Sequence, residues 1–82
     1  ARAIPHNENG QAMGFRLVNI QSGSVFEELG LQRDDVIRTV NGRQILSVED
    51  ALNTYRDLRT SRSFQVGLMR DGRQVTLSLS VQ

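Results

Sequence analysis

The segment from Gly30 to Gly42 restricts the fold of this chain more than any other part of the sequence. Gly30 follows a short apolar and acidic run, and a glycine there can take the left-handed conformation that ends a helix. The pair Asp34-Asp35 suits a polar turn, because short acidic side chains bond nearby backbone groups and tolerate positive φ. Val36 to Val40 is rich in β-branched residues and suits a short strand, and Asn41-Gly42 is a strong two-residue hairpin signal. The segment therefore predicts a helix end, a turn, a strand and a hairpin in direct succession.

Alternating apolar and polar residues predict the other strands of an antiparallel sheet rich in hairpins. The predicted strands are Ala1 to Pro5, Met13 to Ile20, Val36 to Val40, a return at Ile45-Leu46, Phe64 to Leu68, and Val75 to Val81. Pro5 has no N–H group, which favours an edge position for the first strand. Turns are predicted at Asn7 to Gly10 and at Arg70 to Arg73. Gly67 lies inside a strand and predicts a bulge or a close backbone approach.

Two helices are marked by their capping residues. Ser24 precedes a brief helix that starts at Val25, and Glu27 at the third helical position completes a capping box. Ser47 precedes a longer helix, Val48 to Leu58, whose first turn carries two carboxylates that the helix dipole favours. An apolar stripe recurs at helical spacing along this second helix and consists of Val48, Ala51, Leu52, Tyr55 and Leu58.

Length and composition exclude several classes of function. The 82 residues suffice for a single domain, expected at residues 1–82, and leave no room for a second one. The chain has no cysteine, so its fold must rest on packing without disulfides or thiolate-bound zinc. Its ten basic side chains, all arginine, are scattered and nearly balance nine acidic ones, so nucleic acid and anionic membrane are not expected partners. With no apolar run of membrane-spanning length and no leader, we expect a soluble fragment of a larger protein.

Catalytic and metal-binding patterns are weak in this sequence. His6 is the only histidine and lies beside a proline and a turn, where an exposed loop residue is the better interpretation than a catalytic base. Asp34 and Asp35 could form a paired-carboxylate site, but a turn already explains both of them. His6 with Glu8 supplies only two plausible metal ligands. We therefore expect no enzyme, no metal site and no cofactor.

The turn and strand of the opening segment resemble those of the bacterial PDZ domain. Gly30-Leu31, Asp35, Ile37 and Asn41-Gly42 follow the pattern Gly-Leu-x-x-Gly-Asp-x-Ile-x-x-x-(Asn/Asp)-Gly, with Asp34 where the family generally has glycine. The resemblance covers nearly the whole chain. It implies an α+β fold, a PDZ-like partly open β-barrel or sandwich of five to six strands with two helices.

A PDZ domain binds an extended peptide between a sheet edge and its second helix. In the bacterial form the resemblance places this groove between Arg2 to Pro5 and the helix Val48 to Leu58. The groove candidates are Ala3, Ile4, Pro5, Val48, Leu52, Tyr55, Arg56 and Arg59. Val48 and Leu52 would form the apolar floor, with Ile4 opposite and the arginines at the rim. The alternative, that Val48 and Leu52 are simply core residues, remains open at this point.

Met13-Gly14-Phe15 is similar to the loop that captures a terminal carboxylate in many PDZ domains, but its position leads into the strand after the groove strand. The resemblance places the true capture loop before Ala1. Internal segments or folded surfaces are therefore better expected partners than free C-termini.

Three runs, Ile4 to Gly10, Gly14 to Leu17 and Gly23 to Leu31, resemble the C-terminal PDZ domain of the type II secretion inner-membrane C subunit. This resemblance implies a non-catalytic interaction module that contacts the periplasmic domain of the outer-membrane secretin or exported proteins. The parent would be an inner-membrane protein with one membrane helix and a periplasmic region, and this fragment would make no membrane contact itself. The alternative is a substrate-reading domain of a periplasmic serine protease or an intramembrane metalloprotease.

Overall fold

An open antiparallel sheet and two helices make up the fold in the computed structural model, which describes residues 2–80 apart from the side chain of Val25. The strands are β1 (Arg2–Glu8), β2 (Gln11–Asn19), β3 (Val36–Val40), β4 (Arg43–Gln44), β5 (Ser63–Arg70) and β6 (Arg73–Ser80). The helices are α1 (Val25–Glu28) and α2 (Val48–Leu58). The sheet order is β1-β2-β3-β5-β6, with β4 paired to β3. The predicted α+β fold of five to six strands and two helices is confirmed.

Three tight turns of one kind join the hairpins. Asn9-Gly10, Asn41-Gly42 and Asp71-Gly72 each place both residues at positive φ, near 50° for the first residue and near 78° for the glycine. These angles define a type I′ turn, whose twist matches that of paired strands. The hairpin signals in the sequence are thereby confirmed. The predicted positive φ of Asp34 is also confirmed, at 72°.

The turns are shorter than the sequence suggested. Because two residues suffice, β1 continues to Glu8 instead of ending at Pro5, and β2 begins at Gln11. For the same reason the return after Gly42 is β4 at Arg43–Gln44, not Ile45-Leu46. Ile45 still donates its N–H to the carbonyl of Arg38 at 2.9 Å and buries its side chain. The predicted strand ends at Ala1 and Val81 lie outside the described residues.

A bulge in β3 faces Gly67. Ile37 pairs with Leu68 and Thr39 pairs with Gly67, so Arg38 is an extra residue on β3. A Cβ atom on Gly67 would collide with the hydroxyl oxygen of Thr39. The predicted close approach at Gly67 is therefore confirmed, and the bulge lies on the facing strand β3.

The core lies on one face of the sheet. It consists of the buried side chains Leu17, Leu31, Val66, Leu68 and Leu79, with partly buried residues around them. Leu68 is fully buried. The members come from β2, β5, β6 and the turn after α1, so the core joins strands that are distant in sequence.

Both helices begin with the same capping arrangement. At α2, the Ser47 hydroxyl accepts the N–H of Asp50 at 3.0 Å, and the Asp50 carboxylate accepts the N–H of Leu46 at 3.0 Å. At α1, Ser24 accepts the N–H of Glu27, and the Glu27 carboxylate accepts the N–H of Gly23. The predicted capping box is confirmed. In both helices the carboxylate accepts the N–H of the residue before the cap serine, whereas it usually accepts the N–H of the serine itself.

Neither α1 nor α2, within residues 2–80, is long and apolar enough to cross a membrane.

Candidate functional site

The outer edge of β1 is unpaired within residues 2–80, since β1 ends the sheet and pairs with β2. Leu17 donates its N–H to the carbonyl of Asp35 at 2.9 Å and accepts the N–H of Asp34 at 2.7 Å, so both of its backbone groups point away from β1. Ala3 lies opposite Leu17. The N–H and carbonyl of Ala3 therefore point outward, as they do at every second residue of an edge strand.

Pro5 occupies the next outward position of β1, two residues after Ala3. Its missing N–H therefore interrupts no hydrogen bond with β2, and the edge position predicted from this proline is confirmed. A second strand docked on β1 would form a full backbone pair at Ala3 but could only donate to the carbonyl at Pro5. A partner strand can therefore pair with this edge, but only in registers that need no N–H donor from Pro5.

An exposed apolar stripe runs along α2. Val48 is 61% exposed, Leu52 57% and Tyr55 70%. These residues are four and three positions apart and therefore share one helix face. The buried face lies beside it and centres on Thr54, which is 6% exposed. Val48 and Leu52 therefore do not belong to the core, and the alternative interpretation of this stripe is wrong.

An open cavity of about 380 Å³ separates α2 from the sheet. Its lining residues are Ile37, Val40, Ile45, Ala51, Thr54, Tyr55, Leu58, Arg59, Ser61 and Phe64. Most of these side chains are apolar, and they come from β3, α2, the start of β5 and the segments that flank α2. The cavity can accept an apolar side chain or an alkyl chain, with Arg59 supplying a positive charge.

The predicted groove residues divide into three groups in the structure. Tyr55 and Arg59 line the cavity. Val48, Leu52 and Arg56 lie exposed on α2 next to it. Ala3, Ile4 and Pro5 lie on β1 and are not among the described residues that line the cavity.

The cavity wall formed by Ile37, Val40 and Phe64 was missing from the sequence-based site. Each of these residues was identified as part of a strand, but which strand lies under α2 depends on the pairing of β3 with β5. One signal was available: Val40 and Phe64 are apolar at strand ends, where polar residues usually begin a loop. Apolar residues at such positions need another element to pack against them on that face of the sheet.

Charge near the site comes mainly from arginines at the end of α2. Arg43 forms an ion pair with Asp57 at 2.6 Å. Arg56 and Arg59 take part in no ion pair among the described residues. They lie in the last turn and at the C-cap of α2, where positive charge complements the helix dipole.

Within residues 2–80, no three His, Asp or Glu side chains lie close enough to hold a metal ion. The Nε2 atom of His6 lies 3.4 Å from a carboxylate oxygen of Glu8, and both residues belong to β1.

A sheet with a free edge strand and a helix that presents apolar side chains over a cavity defines a class of protein, the peptide-binding modules that extend their own sheet with a partner strand. The comparison with family models identifies the member of this class. The model described as PDZ domain matches residues 4–81, and the chain belongs to the PDZ domain family.

Among curated proteins, the chain is 30% identical over 71 residues to a protein of Rhizobium meliloti (strain 1021) described as a probable periplasmic serine endoprotease, DegP-like. That match covers 87% of this chain but only 14% of the relative's length.

Two solved PDZ domains have the same fold. The PDZ domain of EpsC from Vibrio cholerae superposes with a TM-score of 0.76 at 19% identity, covering 96% of this chain and 75% of that one. The PDZ domain of the pullulanase C protein of the type II secretion system from Klebsiella pneumoniae, solved in complex with fatty acid, gives 0.73 at 21% identity. It covers 98% of this chain and 82% of that chain.

Proposed function

We propose that this chain is a non-catalytic interaction module that docks an extended partner segment on β1, with partner side chains entering the space beside α2. The observation that carries the proposal is the outward direction of the Ala3 backbone groups on an unpaired edge. The exposed stripe of Val48, Leu52 and Tyr55 offers the apolar contacts that give such docking its specificity. Arg59 would orient a partner that carries negative charge near an apolar residue.

The parent protein is, on this proposal, an inner-membrane component of a type II secretion system. The fold shared with EpsC of Vibrio cholerae and with pullulanase C supports this assignment. The module would then act in the periplasm, and its partners would be the periplasmic domain of the outer-membrane secretin or exported proteins.

A substrate-reading role beside a protease is the alternative. This alternative rests on the sequence similarity to the DegP-like endoprotease. The same edge and cavity would then bind unfolded or cleaved chains. The full gene separates the two roles, because an adjoining Ser-His-Asp domain or a His-Glu-x-x-His helix would indicate proteolysis.

A fatty acyl chain is a second class of ligand for the same cavity. The pullulanase C domain was solved in complex with fatty acid, and the cavity under α2 has the apolar lining that an alkyl chain requires. If palmitate competes with the docked peptide, the two ligands bind the same site.

A selected peptide tests the docking role. Peptides are first selected on the wild-type domain from a random phage-displayed library, and the best one is measured by fluorescence anisotropy. Leu52→Lys is expected to weaken its binding about tenfold or more, because a charge replaces an apolar contact. The Leu52 side chain is more than half exposed, so this change removes no core packing.

The matched control is Gln65→Lys, which adds the same charge at an exposed position of β5 outside the cavity lining. Its affinity for the peptide should stay within about twofold of the wild type. If the Leu52→Lys domain binds the peptide as tightly as the wild type, and its amide NMR spectrum shows that it is folded, the proposed groove is contradicted.

A further inference from the structure

β6 is the second free edge of the sheet, and its outward groups can be assigned from hydrogen bonds on its neighbour. The N–H of Asn41 donates to the carbonyl of Gln65 at 2.7 Å, and the N–H of Gln65 donates to the Asn41 side chain at 2.8 Å. Both backbone groups of Gln65 therefore point away from β6. Ser78 lies opposite Gln65, so its own N–H and carbonyl point outward.

The same direction holds along the whole of β6. The pairing with β5 runs without a register shift from Ser63 opposite Ser80 to Arg70 opposite Arg73. Every second residue therefore turns its backbone groups to the free edge, and these residues are Gln74, Thr76, Ser78 and Ser80. Within the described residues this edge is unpaired.

The two edges of the sheet differ in how they are protected. β1 contains Pro5, the charged residues Arg2 and Glu8, and two register shifts against β2. Proline, charge and bulges are the devices by which proteins stop an edge strand from pairing with another chain. Between Gln74 and Ser80, β6 has no proline, no charged residue and no register shift. Its long, regular and neutral edge is the kind that pairs with a second strand.

The strand is compatible with a second copy of itself. In an antiparallel pair with a two-fold axis at Leu77, Thr76 lies opposite Ser78 and Gln74 lies opposite Ser80 of the other copy. Hydroxyl side chains pair favourably across strands, and no like charges oppose each other in this register. Thr76 and Ser78 are both exposed, so their side chains are available for this contact.

We propose that two copies of this chain associate through their β6 edges and form one continuous antiparallel sheet. β6 lies at the opposite end of the sheet from β1. The dimer would therefore leave both β1 edges open and present two docking sites to one partner assembly, which raises avidity without any new contact in the groove. This inference concerns a surface separate from the proposed groove, and either can fail without the other.

Sedimentation equilibrium of the domain from about 10 μM to about 1 mM tests the association, since pairing of one strand alone gives a weak dimer. The average mass should rise with concentration toward that of a dimer. Thr76→Lys places one lysine of each copy at diagonal positions across the two-fold axis, within reach of each other, and should weaken dimerisation about tenfold or more. The exposed Ser78→Lys is a second variant in case the first fails to fold.

Ala3→Lys on the opposite edge is the matched control and should dimerise like the wild type. The selected peptide should bind the Thr76→Lys domain unchanged, which separates this surface from the groove. A monomer at every concentration, or a dimer that tolerates both β6 variants, would overturn the proposal. Loss of the dimer in Ala3→Lys would also overturn it, because the interface would then be at β1.

Discussion

At the scale of single residues, Asp35 anchors the turn between α1 and β3. It is 1% exposed, and its carboxylate accepts two hydrogen bonds from Arg70, at 2.9 Å from Nε and 2.7 Å from Nη2. It also accepts the N–H of Gln32, while Arg70 donates to the carbonyl of Gly30. One bidentate pair therefore ties both ends of the turn to the end of β5.

Asp35→Ala is expected to destabilise the domain by about 3–5 kcal/mol, since it leaves Arg70 and the Gln32 N–H without their partner. Urea unfolding measures the change. Asp34→Asn is the control: it retains a residue that tolerates positive φ and removes only an exposed 3.4 Å contact with Arg16. Its effect should be within about 0.5 kcal/mol. A similar loss in both variants would contradict the role of the buried pair.

The hydrogen bond to Asp35 raises the pKa of Arg70 above its usual value, although burial opposes the shift. A raised pKa in the folded state means that the stabilisation is complete below the unfolded pKa and is lost only as pH rises through the folded pKa. That range is strongly alkaline. Arg70 should therefore contribute no change in unfolding free energy between about pH 6 and pH 9.

Gly67 is a position at which a single added methyl group should strain the pairing of β5 with β3. Gly67→Ala is expected to cost about 1–3 kcal/mol, because the added Cβ would overlap the Thr39 hydroxyl. In a Thr39→Ala background the same change should cost less, since the clashing oxygen is gone. Urea unfolding of the four proteins in this cycle measures the coupling, and strict additivity would contradict the clash.

At the scale of elements, α2 depends on its first turn. Its start is held by the bonds of Ser47 and Asp50. This helix carries the exposed stripe of the proposed groove. Its N-terminal cap therefore sets where that stripe sits.

Ser47→Ala should lower stability by about 1 kcal/mol, the usual cost of losing a capping hydroxyl. Glu49→Ala, at an exposed position of the same turn, should cost less, because it loses only a screened interaction with the helix dipole. Thermal unfolding followed by circular dichroism distinguishes the two. Equal losses would mean that the cap does not hold the helix.

Caps and turns were also the elements that the sequence predicted best. Ser24, Ser47 and the Asn-Gly and Asp-Gly pairs act through neighbours a few residues away, so their effect can be read locally. The cavity under α2 could not be predicted in this way. Its wall at Val40 and Phe64 exists only because β3 pairs with β5, and these two strands are separated along the chain by α2.

At the scale of the whole molecule, stability should be unevenly distributed. β3 and β5 lie inside the sheet with a paired strand on each side, and β5 carries the core residues Val66 and Leu68. Helix α2 rests over an open cavity and exposes much of its apolar surface. Elements with few buried contacts open most easily.

Amide hydrogen exchange followed by NMR should therefore show the slowest exchange in β3 and β5 and faster exchange in α2. A peptide or palmitate that fills the cavity should slow exchange in α2 more than in β5. Equal protection of α2 and β5 in the free domain would contradict this order.

The three type I′ turns also bear on how the chain folds. Each closes its hairpin between residues that are adjacent along the chain, a step that takes microseconds. The β3–β5 pairing instead joins segments separated by α2, so loop closure makes it the slower event. Refolding speed should consequently respond to substitutions at Val66, whereas substitutions at Leu52 should leave both the refolding and the unfolding rates nearly unchanged. A binding surface could thus diversify on the helix without penalty to the kinetics of chain assembly.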